Sequence, residues 1–153
     1  MNISQKICIG CDHAAFDLKD KVFSYIKNIP IRIDDMGTTD PEVSVNYPDY
    51  AIKVAKSVAQ GKHDCGILLC GTGLGMSMVA NRFAGIRAAL CNDIYSARFS
   101  RAHNNANILV MGGRILGDAL ACDIVRTFLM TYFDGERHAD RLAIFDQLGE
   151  SSK

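Results

Sequence analysis

The chain has no tryptophan, three prolines and no net charge, with 17 Lys and Arg set against 17 Asp and Glu in 153 residues. Balanced charge argues against a nucleic-acid partner held by bulk positive potential. With 48% apolar residues it also argues against a disordered tail, which carries fewer apolar residues and more net charge. No apolar run reaches the roughly 18 to 20 residues of a membrane span, so no membrane partner is expected. The opening residues Met1-Asn2-Ile3-Ser4-Gln5-Lys6 have neither the basic start nor the apolar stretch of a signal peptide, and a cytoplasmic address is the expectation. Internal repeats, low-complexity tracts and linker-like segments are likewise missing. A length of about 150 residues suits one domain, spanning 1–153.

Cysteine is the residue in surplus: Cys8, Cys11, Cys65, Cys70, Cys91 and Cys122. Most lie in apolar runs such as Ile7-Cys8-Ile9 and Leu90-Cys91, which suits reduced, buried thiols better than a secreted disulfide frame. Cys8-Ile9-Gly10-Cys11 matches the redox spacing C-x-x-C. Its first thiol falls in an expected strand, however, and no second pair completes a zinc site.

Short β-rich runs alternate with helical spacing. Strands are expected at Lys6 to Gly10, at the half-exposed edge Ile31 to Asp34, at the fully covered run Cys65 to Cys70, at Ala88 to Cys91 and at Ile108 to Met111. Helices are expected around Phe16 to Ile26, Ala51 to Val58 with Pro48 in the first turn, Gly75 to Phe83, Asp93 to Ala102 and Leu120 to Leu129. A last helix is marked by Leu142, Phe145 and Leu148. Five βα units plus one helix predict an α/β fold. It is a three-layer, doubly wound, Rossmann-like domain on a five-stranded parallel sheet, with a C-terminal helix. Ligands of such sheets bind beyond the carboxyl ends of the strands. That singles out Cys11 to His13, the long irregular stretch from Met36 to Tyr47, Cys70 to Gly75, and Gly112 to Arg114.

Cys70-Gly71-Thr72-Gly73-Leu74-Gly75 is the most informative of these. Glycines between a buried strand and a helix let backbone N–H groups face an anion, and the helix start adds partial positive charge. The run is neither a Walker A loop nor G-x-G-x-x-G. A thiolate at Cys70 beside such donors can take a proton from carbon while the donors hold the oxyanion, or attack as a nucleophile; a plain buried strand-end cysteine fits the pattern too. His13 follows Asp12 directly after the first strand. His103 closes the fourth helix, where it suits either a dipole-stabilised cation or a site at the strand ends. His63, in Gly61-Lys62-His63-Asp64, is expected to be solvated. Arg137 and Arg141 share a helix face with His138 between them, a pairing an anion would relieve and a solvated surface would also tolerate. Arg114 is a further anion contact. Met76 and Met78 suit core packing.

These motifs occur in an order that resembles a known family. Gly10-Cys11-Asp12-His13-Ala14-Ala15, Tyr47-Pro48-Asp49-Tyr50-Ala51, Gly66 through Ser77, Ala80 through Ala88, Tyr95-Ser96-Ala97, Arg101-Ala102-His103-Asn104 and Gly135-Glu136-Arg137-His138 together are similar to type B ribose-5-phosphate isomerase. Galactose-6-phosphate isomerase subunits are close relatives. The resemblance runs from about Lys6 to Leu148. It implies interconversion of ribose 5-phosphate and ribulose 5-phosphate by ring opening and proton transfer through a cis-enediolate. It assigns ring opening to His103 with Asp12 nearby, and the C2-to-C1 proton transfer to Cys70. Enediolate stabilisation falls to Thr72 with the N–H groups of Gly71, Gly73, Leu74 and Gly75. It places Tyr47 in the substrate site and gives sugar orientation to Asn104. Phosphate binding goes to His13, Arg114, Arg137, His138 and Arg141. It further implies a homodimer, in a family that includes tetramers, whose site is shared between subunits, the last three residues serving the neighbour. No metal and no other cofactor is implied, and no ligand cluster is evident in the sequence. Where one branch of the family carries a Glu after the glycine loop this chain has Met76, and where the family commonly has Asp-Tyr-Pro it has Asn46-Tyr47-Pro48. An Asn hydrogen-bonds but does not exchange a proton at neutral pH. Other readings of the same residues are an isomerase of a six-carbon aldose phosphate, a non-catalytic phosphate-binding module, and a thiol redox protein using Cys8 and Cys11.

Overall fold

A computed structural model describes residues 5–148. Residues 1–4 and 149–153 lie outside it, and with them the start of the segment read for a signal peptide and the two ends of the 1–153 domain expectation. The chain runs β1 (Lys6–Cys11), a 3-10 turn (His13–Ala15), α1 (Phe16–Lys27), β2 (Arg32–Asp35), α2 (Tyr47–Ala59), β3 (Cys65–Cys70), α3 (Leu74–Ala80), β4 (Ala88–Leu90), α4 (Ile94–Ala102), β5 (Ile108–Gly112), α5 (Asp118–Met130) and α6 (Arg137–Asp146). The five strands form one parallel sheet in the order β2-β1-β3-β5-β4. The central strands β1, β3 and β5 are almost wholly buried, while the edge strand β2 is not. That contrast matches the continuous apolar runs of the former and the alternation of Arg32-Ile33-Asp34-Asp35 in the latter.

Each face of the sheet carries its own core. On one, Ile7, Ile9, Ile67 and Leu109 meet Leu18, Val22 and Ile26 of α1 and Ile124, Val125 and Phe128 of α5. On the other, Leu68, Ile108 and Val110 meet Ala51, Val54 and Ala55 of α2 and Met76 and Ala80 of α3. α2 lies close to the sheet because Gly10 and Gly66 leave room for Val54. A Cβ at Gly66 would stand 2.6 Å from Val54 Cγ1.

Side-chain alternation along β1 decides the C-x-x-C reading. Cys11 belongs to the first core and Cys8 to the second, so the two thiols point to opposite faces. Burial pushes each up to about 12. All six cysteines are free thiols, and only Cys122 is not fully buried. A Cys8–Cys11 redox couple is therefore incompatible with the fold.

Other expectations shift. His63 is 4% exposed rather than solvated. Its Nδ1 lies 2.6 Å from Ser57 Oγ and its Nε2 3.0 Å from Asp34 Oδ2, a hydrogen-bonded histidine joining α2 to the edge strand. Met78 is exposed although Met76 is core. α3 ends at Ala80 instead of Phe83, because Asn81 turns back to bond both Ser77 and Ala88 backbone groups. In α6 only His138 and Leu142 are buried, while Phe145 and Leu148 face outward.

Candidate active site at the two ends of the sheet

Three adjacent strands deliver their last residues to one place. Asp12 and His13 follow β1, Cys70 ends β3 opposite Gly112 of β5, and Arg114 follows two residues later. Backbone bonds lock the junction: Gly113 N–H donates to Cys70 O at 2.8 Å and Arg114 N–H to Gly71 O at 3.0 Å. The Arg114 side chain lies over Gly71, where a Cβ would meet its Cδ at 3.5 Å.

Cys70 is 5% exposed. Its sulfur accepts the Gly73 N–H at 3.1 Å, a bond that strengthens when the sulfur is anionic. Gly73 itself sits at φ +80°, and a Cβ there would stand 2.4 Å from Leu90 Cδ1 and 3.1 Å from the Met111 backbone; both the conformation and the space demand glycine. The Leu74 N–H is directed to Thr72 Oγ1 at 3.4 Å. Two of the loop's N–H groups, expected to face a substrate oxygen, thus already have partners in this chain.

The 36–46 stretch is tied to the same corner. Thr38 N–H donates to Cys11 O at 3.1 Å, and Val45 N–H donates to His13 Nδ1 at 3.2 Å. Accepting at Nδ1 leaves a neutral His13 with its proton on Nε2. The loop leads into α2, whose first residue, Tyr47, covers the glycine turn: a Cβ at Gly75 would lie 2.5 Å from the Tyr47 ring. Asn46 caps α2 by backbone position alone, without a side-chain cap bond. Asp12 is 6% exposed and its Oδ1 accepts the Ala14 N–H at 3.0 Å. Burial pushes its carboxyl above the ordinary value, against the pull of His13, the Ala14 and Ala15 N–H groups and Arg114. Lys19, 4% exposed, bonds Asp35 at 2.8 Å, and Asp35 in turn accepts the Gly37 N–H, fixing where the loop leaves β2.

His103 lies elsewhere. α4 runs from the carboxyl end of β4 to the amino end of β5, and the residues just after His103 bond the amino edge of the sheet: Arg87 Nε donates to Asn105 O, and Gly66 N–H to Asn107 O. His103 and Asn104 are therefore separated from Cys70 by the length of β5, five residues or about 16 Å at strand rise. The expectation that His103 works beside Asp12 at the strand ends fails within one chain, because a crossover helix must return to the start of the next parallel strand. His103 instead stacks on His138, ring centroids 4.1 Å apart and planes 10° from parallel. Asp134 joins them, with its Oδ2 3.9 Å from His103 Nε2. Arg137 and Arg141 stand exposed on the same helix as His138. Burial, then His103, Arg137 and Arg141, hold the His138 imidazole below its ordinary value. Two non-glycine residues in the left-handed region, Asn105 at φ 45° and Glu136 at φ 46°, flank the cluster, and such strain gathers at functional sites. Asp134 escaped the sequence reading: it lies far along the chain from His103, and the Asp134 N–H to Ala102 O bond, 2.9 Å, with the His103–His138 stack brings the two segments together.

The predicted residues thus fall into two groups. Asp12, His13, Tyr47, Cys70, Gly71, Thr72, Gly73, Leu74, Gly75 and Arg114 share the carboxyl end. His103, Asn104, Arg137, His138 and Arg141 share the amino end.

The same fold recurs in known proteins. A family model described as ribose/galactose isomerase matches residues 7–145. The chain is 45% identical over 138 residues to ribose-5-phosphate isomerase B of Escherichia coli (strain K12), covering 90% of this chain and 92% of that protein. A ribose 5-phosphate isomerase structure from Thermotoga maritima superposes with TM-score 0.91 at 56% identity, over 94% of this chain and 99% of that one. A ribose-5-phosphate isomerase B from Mycoplasma genitalium with bound ribulose-5-phosphate superposes with TM-score 0.90 at 35% identity, over 94% and 95%.

Proposed function

Because the chain belongs to the ribose/galactose isomerase family, we propose that it interconverts ribose 5-phosphate and ribulose 5-phosphate with Cys70 as the base, in a site completed by the second group of residues from a neighbouring copy. The observation that carries the reading is the Cys70 sulfur held at 3.1 Å by the Gly73 N–H inside a glycine turn. A base that must give its proton back needs a fixed position and a stabilised anion, and that N–H supplies both.

The chemistry then follows in order. His103 of the neighbour moves protons between the ring oxygen and the anomeric oxygen, and the furanose opens to an aldehyde. The Cys70 thiolate removes the C2 proton, and the electron pair runs to O1, giving the cis-enediolate. Thr72 and main-chain N–H groups of the Gly71–Gly75 turn neutralise that oxygen. A proton passes from O2 to O1, and Cys70 returns its proton to C1 as the C2 carbonyl forms, giving the ketose with the thiolate restored. His13 Nε2–H and Arg114 on the carboxyl side, with Arg137, His138 and Arg141 from the neighbour, bind the phosphate; Asn104 and Tyr47 orient hydroxyls. Asp12 is capped and buried, which suits holding His13 and Arg114 in place as well as exchanging a proton. No step draws on a cofactor.

The two-ended distribution supports a shared site, since Cys70 and His103 of one chain lie too far apart to act on one sugar. The deciding assay is turnover of ribose 5-phosphate by purified protein, run beside six-carbon aldose phosphates and Cys70→Ala. Rapid ketose formation that Cys70→Ala abolishes is the expected result. Equal turnover by the variant would remove the thiol from the mechanism, and a preference for the longer sugar would move the substrate assignment.

A further inference from the structure

We propose that Arg87 is a positioning residue of the amino-end half of the site: one guanidinium holds both the turn that follows His103 and Asn104 and the last turn of α6, and so fixes where the proton-exchanging imidazole stands relative to the phosphate-binding side chains. Its part in turnover rests on the functional reading above; the clamp itself stands on geometry. Arg87 precedes β4, and its backbone is locked to the start of β5: its N–H donates to Asn107 Oδ1 at 2.8 Å, and its carbonyl accepts the Asn107 N–H at 3.1 Å. From that fixed base the side chain reaches two ways. Nε donates to Asn105 O at 3.0 Å, and Nη1 lies 3.3 and 3.4 Å from the two carboxylate oxygens of Asp146. The side chain is 18% exposed, so both contacts are partly shielded from solvent screening.

Both arms of the clamp hold something that needs holding. No described residue of α6 belongs to either sheet core. The inner face of α6 is a stripe at four-residue spacing: His138 stacked on His103, Leu142 buried, and Asp146 on Arg87. The stack fixes the first turn of the helix and Arg87 fixes the last. Together they set the direction in which α6 lies, and with it the exposed Arg137 and Arg141. Asp146 has the wrong sign for a helix C-terminus, whose carbonyls repel a carboxylate; the guanidinium compensates. On the other arm, Asn105 directly follows Asn104 and sits in the left-handed region at φ 45°, a conformation that persists only where its surroundings hold it. Arg87 takes its carbonyl, while Arg101 donates to Asn105 Oδ1 and Ala106 O. In the shared site His103 meets the sugar at its ring oxygen, and Arg137, His138 and Arg141 meet its phosphate. These are two ends of one small molecule, so an error in their spacing is felt in both binding and ring opening.

The test compares Arg87→Met, Arg87→Lys and Asp146→Asn with wild type, each in the full chain. One readout is kinetics on ribose 5-phosphate with inorganic phosphate as competitor. The other is the ring resonances of His103 and His138 in NMR spectra, which the stack shifts and which owe nothing to turnover. Arg87→Met should raise KM and weaken phosphate inhibition at least about tenfold, lower kcat, and move both sets of ring resonances. Arg87→Lys keeps a charge for Asp146 but loses the Nε donor to Asn105, so it should recover most of the phosphate affinity and leave kcat low. Asp146→Asn should cost about two- to fivefold in KM, and less in kcat, as a partly exposed ion pair is worth. A folded Arg87→Met with kinetics within about twofold of wild type, or with unmoved histidine resonances, overturns the proposal. Should Arg87→Met fail to fold, Asp146→Asn decides, and unmoved KM and resonances there overturn it. Moved resonances in a protein that turns over no sugar phosphate uphold the clamp and overturn the isomerase reading instead.

Discussion

The two ends of the sheet are built differently. At the carboxyl end, three neighbouring strands stop together, and backbone bonds between Cys70, Gly71, Gly113 and Arg114 tie the site to the core. At the amino end, a helix terminus, a strained turn and the first turn of α6 meet through side chains: His103 on His138, with Asp134 alongside. The first is rigid because strands and a glycine turn leave few degrees of freedom. The second is held by side-chain contacts around a buried His138, with the exposed Asp134, Arg137 and Arg141 beside it, which suits groups proposed to meet a partner's ligand. The contrast teaches that the proposed base, whose proton transfer tolerates little displacement, sits on the stiffer end.

The largest test of that contrast is Cys70→Ala. Turnover should fall about 10³-fold, the range for a lost acid–base group, while inorganic phosphate still binds by calorimetry; a loss below about tenfold would make the glycine turn a binding feature only. Next comes complementation. Cys70→Ala and His103→Ala should each be inactive alone. Unfolded and refolded together in equal amounts, they should recover roughly one quarter of wild-type activity, as half the dimers are mixed and each carries one intact site. Zero recovery would put both residues in a single chain's site.

Rigidity itself is sharpened by Gly73→Ala. A methyl group in the left-handed region, against Leu90 and the Met111 backbone, should lower stability by about 1–3 kcal/mol in chemical denaturation and displace the N–H that holds the sulfur. Unchanged stability would mean the turn is looser than its geometry implies. The smallest effect concerns a histidine that serves structure only. The His63 hydrogen bond is the main cause holding the Asp34 carboxyl below its ordinary value, with Lys6 and Arg32 adding to it. Its stabilisation is therefore present above the ordinary carboxylate value of about 3.9 and fades as the pH falls through the lowered one. Asp34→Asn should cost under about 1 kcal/mol at pH 7, as partly exposed pairs do, with no change in turnover. In melts at decreasing pH the gap to wild type should narrow below about pH 4; a gap that widens would reverse the assignment.

Much of this was legible beforehand where chemistry and chain position coincide. The strands read from apolar runs, the edge strand from its alternation, and the Cys70–Gly75 turn from residues adjacent in sequence. His63 misled because a polar turn in sequence can fold back under a helix, here against Ser57. Met78 and the apolar residues of α6 misled because periodicity gives a helix without saying which faces find a partner. Asp134 was invisible because its meeting with His103 depends on tertiary contacts between segments far apart in sequence.

By itself the order of residues determined the α/β layering, the buried parallel strands, the glycine turn and the nature of the thiol, since each follows from local periodicity or from residue types side by side. Only the tertiary structure decided that Cys8 and Cys11 face opposite cores, that His63 is a buried brace, and that His103 lies a strand's length from Cys70. Those are consequences of which strand end a crossover helix returns to and which face a side chain points toward, and both are set by packing across the whole sheet.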